Sequence, residues 1–162
     1  MRLRPSHVPA LVAGMVAALS SACTPGAATT PSGASRAPIS GAVVVHVSLL
    51  KYGPLSTAFG TVAGYSPDPL TVPVGSIVQF VNDDNFTHTA SSVGSSGFPA
   101  GNPLSSVAQT PSGVDLASPA WSSGNIAGGS LSQGFTASTP GTYYYGCFYH
   151  FGSPMRGVIV VQ

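Results

Sequence analysis

Short runs of apolar residues separated by turn residues occupy much of the chain after residue 42. At 43–47, valines fill one alternating set of positions, and a period of two is typical of a β-strand. Five further runs of similar length lie at 70–74, 77–81, 131–137, 142–147 and 157–161. No window keeps a helical period. Several short strands joined by turns rich in Gly and Pro predict an all-β sandwich or barrel.

Two stretches do not follow this pattern. Residues 51–69 hold several aromatic side chains, and we expect an extra hairpin or a covering loop there. Residues 91–129 are rich in Ser, Gly and Pro. A loop of this length inside a compact domain is unusual and is often functional. Trp121, near its far end, is predicted to anchor the loop to the core.

The N-terminal residues have the layout of an export signal. Arg2 and Arg4 precede an apolar run at 8–19, and small residues follow up to Cys23. Residues 1–22 are therefore predicted to be a signal peptide, because the run is shorter than the roughly 20 residues that span a bilayer. The string Leu-Ser-Ser-Ala-Cys resembles a bacterial lipobox and implies lipidation of Cys23. The alternative is ordinary cleavage after residue 22.

The segment after the predicted signal peptide lacks aromatic residues. Residues 23–41 are rich in Thr, Pro, Ser, Ala and Gly. Such a composition cannot bury a core, so this segment is predicted to be a flexible tether. Residues 42–162 remain as one folded domain.

Charge is scarce along the whole chain. Only 6% of the 162 residues are charged, against about 25% in an average domain. Five Lys plus Arg and four Asp plus Glu exclude a strongly basic nucleic-acid binder and an acidic disordered tail. Without residues 1–22, three cations remain against four anions, so the formal net charge becomes −1. Such a protein would depend little on electrostatic steering toward its partners.

The residues that favour metal binding lie close to the C-terminus. Cys147, His150 and Met155 fall within nine residues, and His88 follows the predicted strand at 77–81. Two imidazoles, one thiolate and a weak Met are the ligands of a blue-copper site. The sulfur ligands suit Cu(I), and imidazole also suits Cu(II). One site of this composition can therefore hold copper through a one-electron change.

Strand geometry is compatible with this ligand set. Tyr143, Tyr145 and Cys147 alternate and so share one face of a strand. The loop at 148–154 would then turn back over the metal and present His150. His88 would come from a neighbouring strand end.

Each candidate ligand also has a simpler interpretation. His88 could be a surface histidine, and His150 a packed interior one. Cys147 could be a buried thiol or could pair with Cys23 in an oxidising compartment. Met155 could fill the core. The combination C-x2-H-x4-M before a terminal strand favours the metal site over these alternatives taken together.

The remaining histidine and acidic residues near these ligands are predicted to lie at the surface without a role in metal binding. His46 is predicted to lie on a strand surface, and Asp83 with Asp84 to form a solvated turn before His88. No Ser/His/Asp triad or phosphate-cradling Gly loop stands out. His-x-His pairs are also absent from the sequence, so nothing supports the trinuclear cluster of a multicopper oxidase.

Two blocks of the chain resemble the plastocyanin/azurin-like cupredoxin family, and within it the plastocyanin type. The first block runs from residue 68 to Thr89, and the second from residue 123 to residue 161. The resemblance implies a Greek-key cupredoxin β-sandwich, here with long Gly/Ser/Pro-rich insertions, that holds one copper ion. It also implies a hydrogen bond from Thr89 near the cysteine sulfur, and a tyrosine, Tyr143, that locks a corner. The implied ligands are three equatorial residues and one axial residue: His88, Cys147 and His150, and Met155.

The implied function is that of a type 1 copper protein carrying single electrons outside the cytoplasm, not that of an enzyme. Its partners would be redox proteins that dock at the exposed edge of His150. An aromatic docking patch is predicted around that edge, and core covering is the alternative for the same residues: Phe148, Tyr149, Phe151 and Pro154. Two other functions compete with the carrier, namely a copper-delivery module and a purely structural surface domain.

The expected location follows from the N-terminal segment. We expect an exported monomer in the periplasm or at the cell surface. Contact with a membrane would be made only through a lipid on Cys23, and no contact with nucleic acid is expected.

Overall fold

The computed structural model describes residues 36–94 and 96–162. The predicted signal peptide at 1–22, Cys23 and most of the tether at 23–41 lie outside these residues. In the described part of the chain, no helix is long and apolar enough to cross a membrane.

The described residues form short strands and a single turn of 3-10 helix at Ser106–Gln109. The strands are β1 (Val43–Val47), β2 (Leu55–Thr57), β3 (Gly60–Val62), β4 (Tyr65–Ser66), β5 (Leu70–Val72), β6 (Ile77–Asn82), β7 (Ser91–Gly94), β8 (Pro111–Ser112), β9 (Ser122–Ser123), β10 (Leu131–Thr136), β11 (Gly141–Gly146) and β12 (Arg156–Val161).

Two sheets and one separate hairpin contain all of these strands. The first sheet has the order β10-β6-β1-β4, in which β1 runs parallel to β6. The second has the order β5-β12-β11-β7-β9-β8, in which β12 runs parallel to β5. The remaining pairs are antiparallel, including the hairpin β2-β3. The mixture of parallel and antiparallel neighbours shows that the chain crosses between sheets rather than meandering.

The hydrophobic core lies between the two sheets. Phe80 on β6 and Tyr145 on β11 place their ring centroids 5.3 Å apart. Trp121 is 1% exposed and stacks on Phe80 at 6.2 Å, so it anchors the long segment before it, as predicted. Burying one such side chain stabilises a fold by about 1.5–3 kcal/mol.

The strand predictions are largely confirmed, and the differences have local causes. The run at 70–74 ends as a strand at Val72 because Pro73 has no amide hydrogen to donate to a neighbouring strand. The stretch at 51–69 contains the hairpin β2-β3, one of the two alternatives expected there. Tyr143 donates a hydrogen bond from its hydroxyl to the Thr139 carbonyl at 2.8 Å, which closes the turn before β11.

The segment 91–129 is more ordered than the sequence suggested. It contains β7, β8, β9 and the 3-10 helix. Serine side chains link these short strands, because the hydroxyls of Ser91 and Ser122 lie 2.7 Å apart and that of Ser122 donates to the Ala108 carbonyl at 2.7 Å. Gly124 has a φ of +63°, and a Cβ there would lie 2.4 Å from the Pro111 ring. Hydrogen bonding by serines thus replaces the apolar pattern that marks strands elsewhere.

Candidate metal centre

Three potential metal ligands from two distant parts of the chain meet at one end of the sandwich. The Sγ atom of Cys147 lies 3.7 Å from Nδ1 of His88 and 3.6 Å from Nδ1 of His150. The three donor atoms all lie within 4.8 Å of one another. The sulfur and the two imidazole nitrogens therefore form a compact triangle of donor atoms.

The loop after β11 is closed by its own backbone hydrogen bonds. The amide of Cys147 donates to the Met155 carbonyl at 3.0 Å, and the amide of Met155 donates to the His150 carbonyl at 3.1 Å. Gly146 permits the loop to fold back, since a Cβ there would lie 2.5 Å from the Phe151 ring. These contacts hold three of the candidate ligands, Cys147, His150 and Met155, in one closed turn.

His88 is held by the segment 91–129 rather than by a regular strand. It forms an isolated antiparallel bridge with Ile126. The two backbone hydrogen bonds of this bridge measure 3.2 Å and 2.8 Å. The side chain of His88 is fully buried, so the backbone bridge and the core together determine where its ring lies.

The second ring nitrogen of His88 contacts a carboxylate that sequence analysis assigned wrongly. Nε2 of His88 lies 2.9 Å from Oδ2 of Asp84. Asp84 is only 6% exposed and also accepts hydrogen bonds from the Ser48 hydroxyl at 2.5 Å and the Leu49 amide at 2.8 Å. The prediction of a solvated turn is therefore wrong for Asp84. Its burial is stabilised by donors about 35 positions earlier, which no local pattern reveals.

The adjacent acidic residue behaves as the solvated-turn prediction expected. Asp83 faces His46 at 3.2 Å and Lys51 at 3.3 Å, and its side chain is 20% exposed. His46 lies on the surface, as predicted for a strand-surface residue. Neighbours in sequence thus point in opposite directions, one to the surface and one to the metal centre.

Burial and hydrogen bonding shift the pKa values of the two histidines and of Asp84 in ways that favour neutral imidazoles. Burial lowers the pKa of His88, although Asp84 opposes the change. Burial alone would raise the pKa of Asp84, but hydrogen bonds from Ser48, His88 and Leu49 outweigh it and hold that pKa below its usual range. Burial and the nearby His88 lower the pKa of His150. At neutral pH, both lowered pKa values favour neutral rings, and a neutral imidazole keeps one nitrogen lone pair free to bind a cation.

Cys147 is a free, fully buried cysteine. Burial raises the pKa of its thiol, and backbone amides, first among them that of Thr89, oppose this. The Thr89 amide donates to Sγ at 3.4 Å, while the Thr89 hydroxyl accepts a hydrogen bond from the Phe148 amide at 2.9 Å. The Thr89 carbonyl accepts a third bond, from the Tyr65 hydroxyl at 2.6 Å. Thr89 therefore contacts the sulfur, the ligand loop and the core.

Met155 is fully buried at the end of the ligand loop. Gly64, between β3 and β4, has a φ of +77°, and a Cβ on it would lie 2.5 Å from Cγ and 3.3 Å from Sδ of Met155. The thioether therefore packs directly on the Gly64 backbone. Its role as an axial ligand stays a prediction.

The predicted docking patch needs one correction. Tyr149 is 42% exposed, and His150, Phe148 and Pro154 are half-buried. Phe151 is only 2% exposed, because it packs against Gly146 and beneath the Arg156 guanidinium, whose carbon lies 5.3 Å from the ring. Phe151 is therefore a covering residue of the core and offers almost no surface to a partner.

The segment 91–129 also contacts the ligand loop from outside. The Asn102 side chain donates to the Phe148 carbonyl at 2.8 Å. The Tyr149 hydroxyl lies 3.0 Å from Oε1 of Gln109 and 2.9 Å from Oδ1 of Asn125. Sequence analysis did not assign these contacts, because isolated Asn and Gln residues in a Ser-rich segment carry no signal of their partners.

The donor set fits one metal ion. Nitrogen and sulfur ligands lie about 2.0–2.3 Å from an ion such as zinc, so two donors on opposite sides of a shared ion are at most about 4.5 Å apart. The two sulfur–nitrogen separations of 3.6 Å and 3.7 Å fall inside that range, and the three donor atoms all lie within 4.8 Å of one another. Two imidazoles and one cysteine are also the strong ligands of blue-copper sites, so the residues present fit copper.

Solved structures with a similar fold include three amicyanin variants. A reduced variant with tyrosine in place of tryptophan is 23% identical over 77% of this chain and 86% of its own, with a TM-score of 0.50. An oxidised variant with alanine in place of proline is 22% identical over the same shares, also with a TM-score of 0.50.

The third, a reduced Cu(I) form at pH 4 with glycine in place of proline, is 24% identical over 82% of this chain and 95% of its own. Its TM-score is 0.51. No curated protein sequence matches the chain. The family model of copper-binding proteins of the plastocyanin/azurin family matches residues 56–162. The chain therefore belongs to the plastocyanin/azurin family of copper-binding proteins and has the all-β cupredoxin fold.

Proposed function

We propose that this protein is a type 1 copper protein that carries single electrons outside the cytoplasm, and that it is not an enzyme. The observation that carries the proposal is the convergence of the buried Cys147 sulfur with two imidazole Nδ1 atoms, which lie 3.7 Å and 3.6 Å from it. The ligands are His88, Cys147 and His150, with Met155 as the axial ligand of a plastocyanin-type C-x2-H-x4-M loop. One copper ion, when bound, supplies the Cu(II)/Cu(I) couple.

The residues around the site favour a carrier because they restrict movement of the ligands. His88 is held by its bridge to Ile126 and by Asp84. Cys147 is held by the Thr89 amide and by backbone contact with Met155. Ligands fixed at both backbone and side chain keep nearly one geometry during a one-electron change. Full burial of His88 and Cys147 also favours a carrier over a copper-delivery module, which must release its metal.

His150 is the proposed point of electron exchange with partner proteins. It is half-buried, whereas the other two strong ligands are fully buried. The docking patch is formed by Phe148, Tyr149 and Pro154 around it. Redox proteins would dock there mainly through apolar contact, because the chain carries few charges.

Export is proposed from the N-terminal sequence alone. The signal-like residues 1–22, followed by Cys23, support a periplasmic or cell-surface location, with a lipid on Cys23 as the membrane contact.

The colour of the copper-loaded protein tests the proposal. Loaded with Cu(II), the protein without residues 1–22 should be intensely blue through charge transfer from the Cys147 thiolate. Cys147→Ser should abolish the colour, while the matched control Cys23→Ser should keep it. A colourless Cu(II) adduct of the unaltered protein, or a blue Cys147→Ser variant, would refute the proposed site.

Electrochemistry then separates a carrier from a delivery module. A carrier should give reversible one-electron voltammetry and should lose copper slowly in both oxidation states. Rapid transfer of copper to a competing chelator in either state would favour delivery instead.

A further inference from the structure

We propose that Asp84 is a positioning residue for the copper ligand His88, and that its buried negative charge favours Cu(II) over Cu(I). The proposal rests on the copper function above. It concerns how one ligand is oriented and how the charge of the centre is balanced.

The geometry assigns opposite roles to the two nitrogens of His88. Nε2 faces Oδ2 of Asp84 at 2.9 Å, and Nδ1 faces Sγ of Cys147 at 3.7 Å. A carboxylate only accepts hydrogen bonds, so the ring must carry its proton on Nε2. That tautomer leaves the Nδ1 lone pair directed at the metal position. A carboxylate on the second nitrogen also makes an imidazole a stronger ligand.

Asp84 is itself held in place, which distinguishes it from a mobile surface acid. Its Oδ1 accepts from the Ser48 hydroxyl, and its Oδ2 accepts from the Leu49 amide as well as from His88. The backbone amide of Asp84 donates to the Asn82 side chain at 2.9 Å. Four hydrogen bonds therefore hold one residue, and they come from three different segments of the chain.

The buried charge has a defined effect on the redox equilibrium. A negative charge interacts more favourably with the doubly charged ion than with the singly charged one, and screening by water is weak in a buried site. Asp84 is 6% exposed, and no lysine or arginine contacts its carboxylate among the described residues. Its charge therefore acts on the centre through His88 and lowers the reduction potential.

The chain offers a matched control for this charge. Asp83 is the neighbouring residue and carries the same charge, but its carboxylate contacts Lys51 and His46 and is partly exposed. Asp84→Asn keeps an oxygen that can accept from His88 and Leu49, and its amide can donate to the Ser48 hydroxyl. The substitution therefore removes the charge and preserves the shape.

The first test measures the reduction potential of the blue protein. Asp84→Asn should raise the ratio of Cu(I) to Cu(II) affinity by about tenfold, which is 59 mV for a one-electron couple. Asp83→Asn should change the same ratio less than threefold. Equal changes in the two variants, with blue colour kept in both, would overturn the role of Asp84 and leave the copper function intact.

The second test does not depend on redox behaviour, and its deciding measurement uses the unaltered protein. Nitrogen-15 NMR of the imidazole rings, in the metal-free and Cu(I)-loaded protein, should show His88 protonated at Nε2 in both forms. Asp84→Ala should give a mixture of tautomers in the metal-free form. Protonation at Nδ1, or a mixture of tautomers in the unaltered metal-free protein, would overturn the proposal.

Discussion

The two histidines of the metal centre face very different surroundings. His88 is fully buried, bridged by its backbone to Ile126 and hydrogen-bonded through its ring to Asp84. His150 lies in a turn, is half-buried, and contacts the rings of Phe86 and Tyr149 at 5.9 Å and 6.1 Å. In the described residues, the only side-chain polar contact of the His150 ring is with Cys147.

This difference divides the site into a rigid side and an accessible side. The His88 side contributes orientation and charge, because its contacts are polar, directional and shielded from water. The His150 side contributes access, because its contacts are mostly apolar and lie near the surface. An electron carrier needs both properties, and in this protein they reside on different ligands.

Removing each imidazole in turn should have the largest effect and tests this division directly. His150→Gly and His88→Gly should both lose the blue colour. Added imidazole should restore the blue colour in His150→Gly, since the gap left by that side chain opens near the surface. Imidazole should not restore the colour in His88→Gly, where the gap is enclosed and Asp84 loses a hydrogen-bond donor in a buried position. Absorption during titration with imidazole measures this, and equal rescue of both variants would remove the distinction.

Asp68 provides the next test, because it is a second sheltered carboxyl that lacks the donors of Asp84. Its Oδ1 accepts from the Val158 amide at 2.9 Å, and its Oδ2 has no partner in the described residues. Burial raises the pKa of Asp68 to about 7, despite the Val158 hydrogen bond. The fold favours the protonated form of Asp68, so this group contributes its full stabilisation below about pH 4. That contribution to the free energy of unfolding is lost as the pH rises through 7.

Asp68→Asn should remove this pH-dependent loss of stability, because the amide side chain cannot ionise and its oxygen can still accept the hydrogen bond from the Val158 amide. The free energy of unfolding of the variant, minus that of the parent, should increase between pH 4 and pH 8 by at most about 4 kcal/mol. Urea denaturation at several pH values measures the difference. A difference that stays constant over this range would show that Asp68 ionises as freely as a surface carboxyl.

A smaller effect is expected from the contacts that hold the accessible side. Tyr149→Phe removes the hydroxyl that reaches Gln109 and Asn125. The free energy of unfolding should fall by about 0.5–1.5 kcal/mol, with the blue colour unchanged. Tyr144→Phe is the control, because the Tyr144 hydroxyl makes no hydrogen bond within the described residues. Equal losses in the two variants would mean that the segment 91–129 does not hold the ligand loop.

The smallest effect is expected from salt. A docking patch of Phe148, Tyr149 and Pro154, on a protein whose formal net charge is −1 without residues 1–22, gives little electrostatic steering. The rate of electron transfer to a small neutral or weakly charged redox partner should therefore stay nearly flat between low and physiological ionic strength. Stopped-flow kinetics measures it, and a steep dependence on ionic strength would contradict an apolar docking surface.

Much of the fold was predictable because its signals are local. Alternating valines at 43–47 identified β1, and the runs before and after the ligand loop identified β11 and β12. Where short strands consist mainly of serine, as in β7 and β9, the period-two signal of apolar residues is missing. Those strands are stabilised by hydroxyl hydrogen bonds between distant residues, which a local pattern cannot show.

The candidate ligands were also visible in the sequence, because three of them lie in one short string and their chemistry is distinctive. Their supporting contacts were not visible. Asp84 looked like half of a solvated turn, and Phe151 looked like part of an exposed aromatic loop. Ser48 and Leu49, about 35 residues earlier, hold the Asp84 carboxylate, whereas Arg156, five residues later on β12, covers the Phe151 ring.

The sequence by itself determined the class of fold, the chemistry of the candidate ligands and the scarcity of surface charge. These depend on residue type and on short spacings, which are properties of the chain alone. Only the tertiary structure decided which acid is buried, which imidazole is shielded and which aromatic ring meets the solvent. Those properties depend on burial and on partners in other strands and loops, so they exist only once the two sheets have packed together.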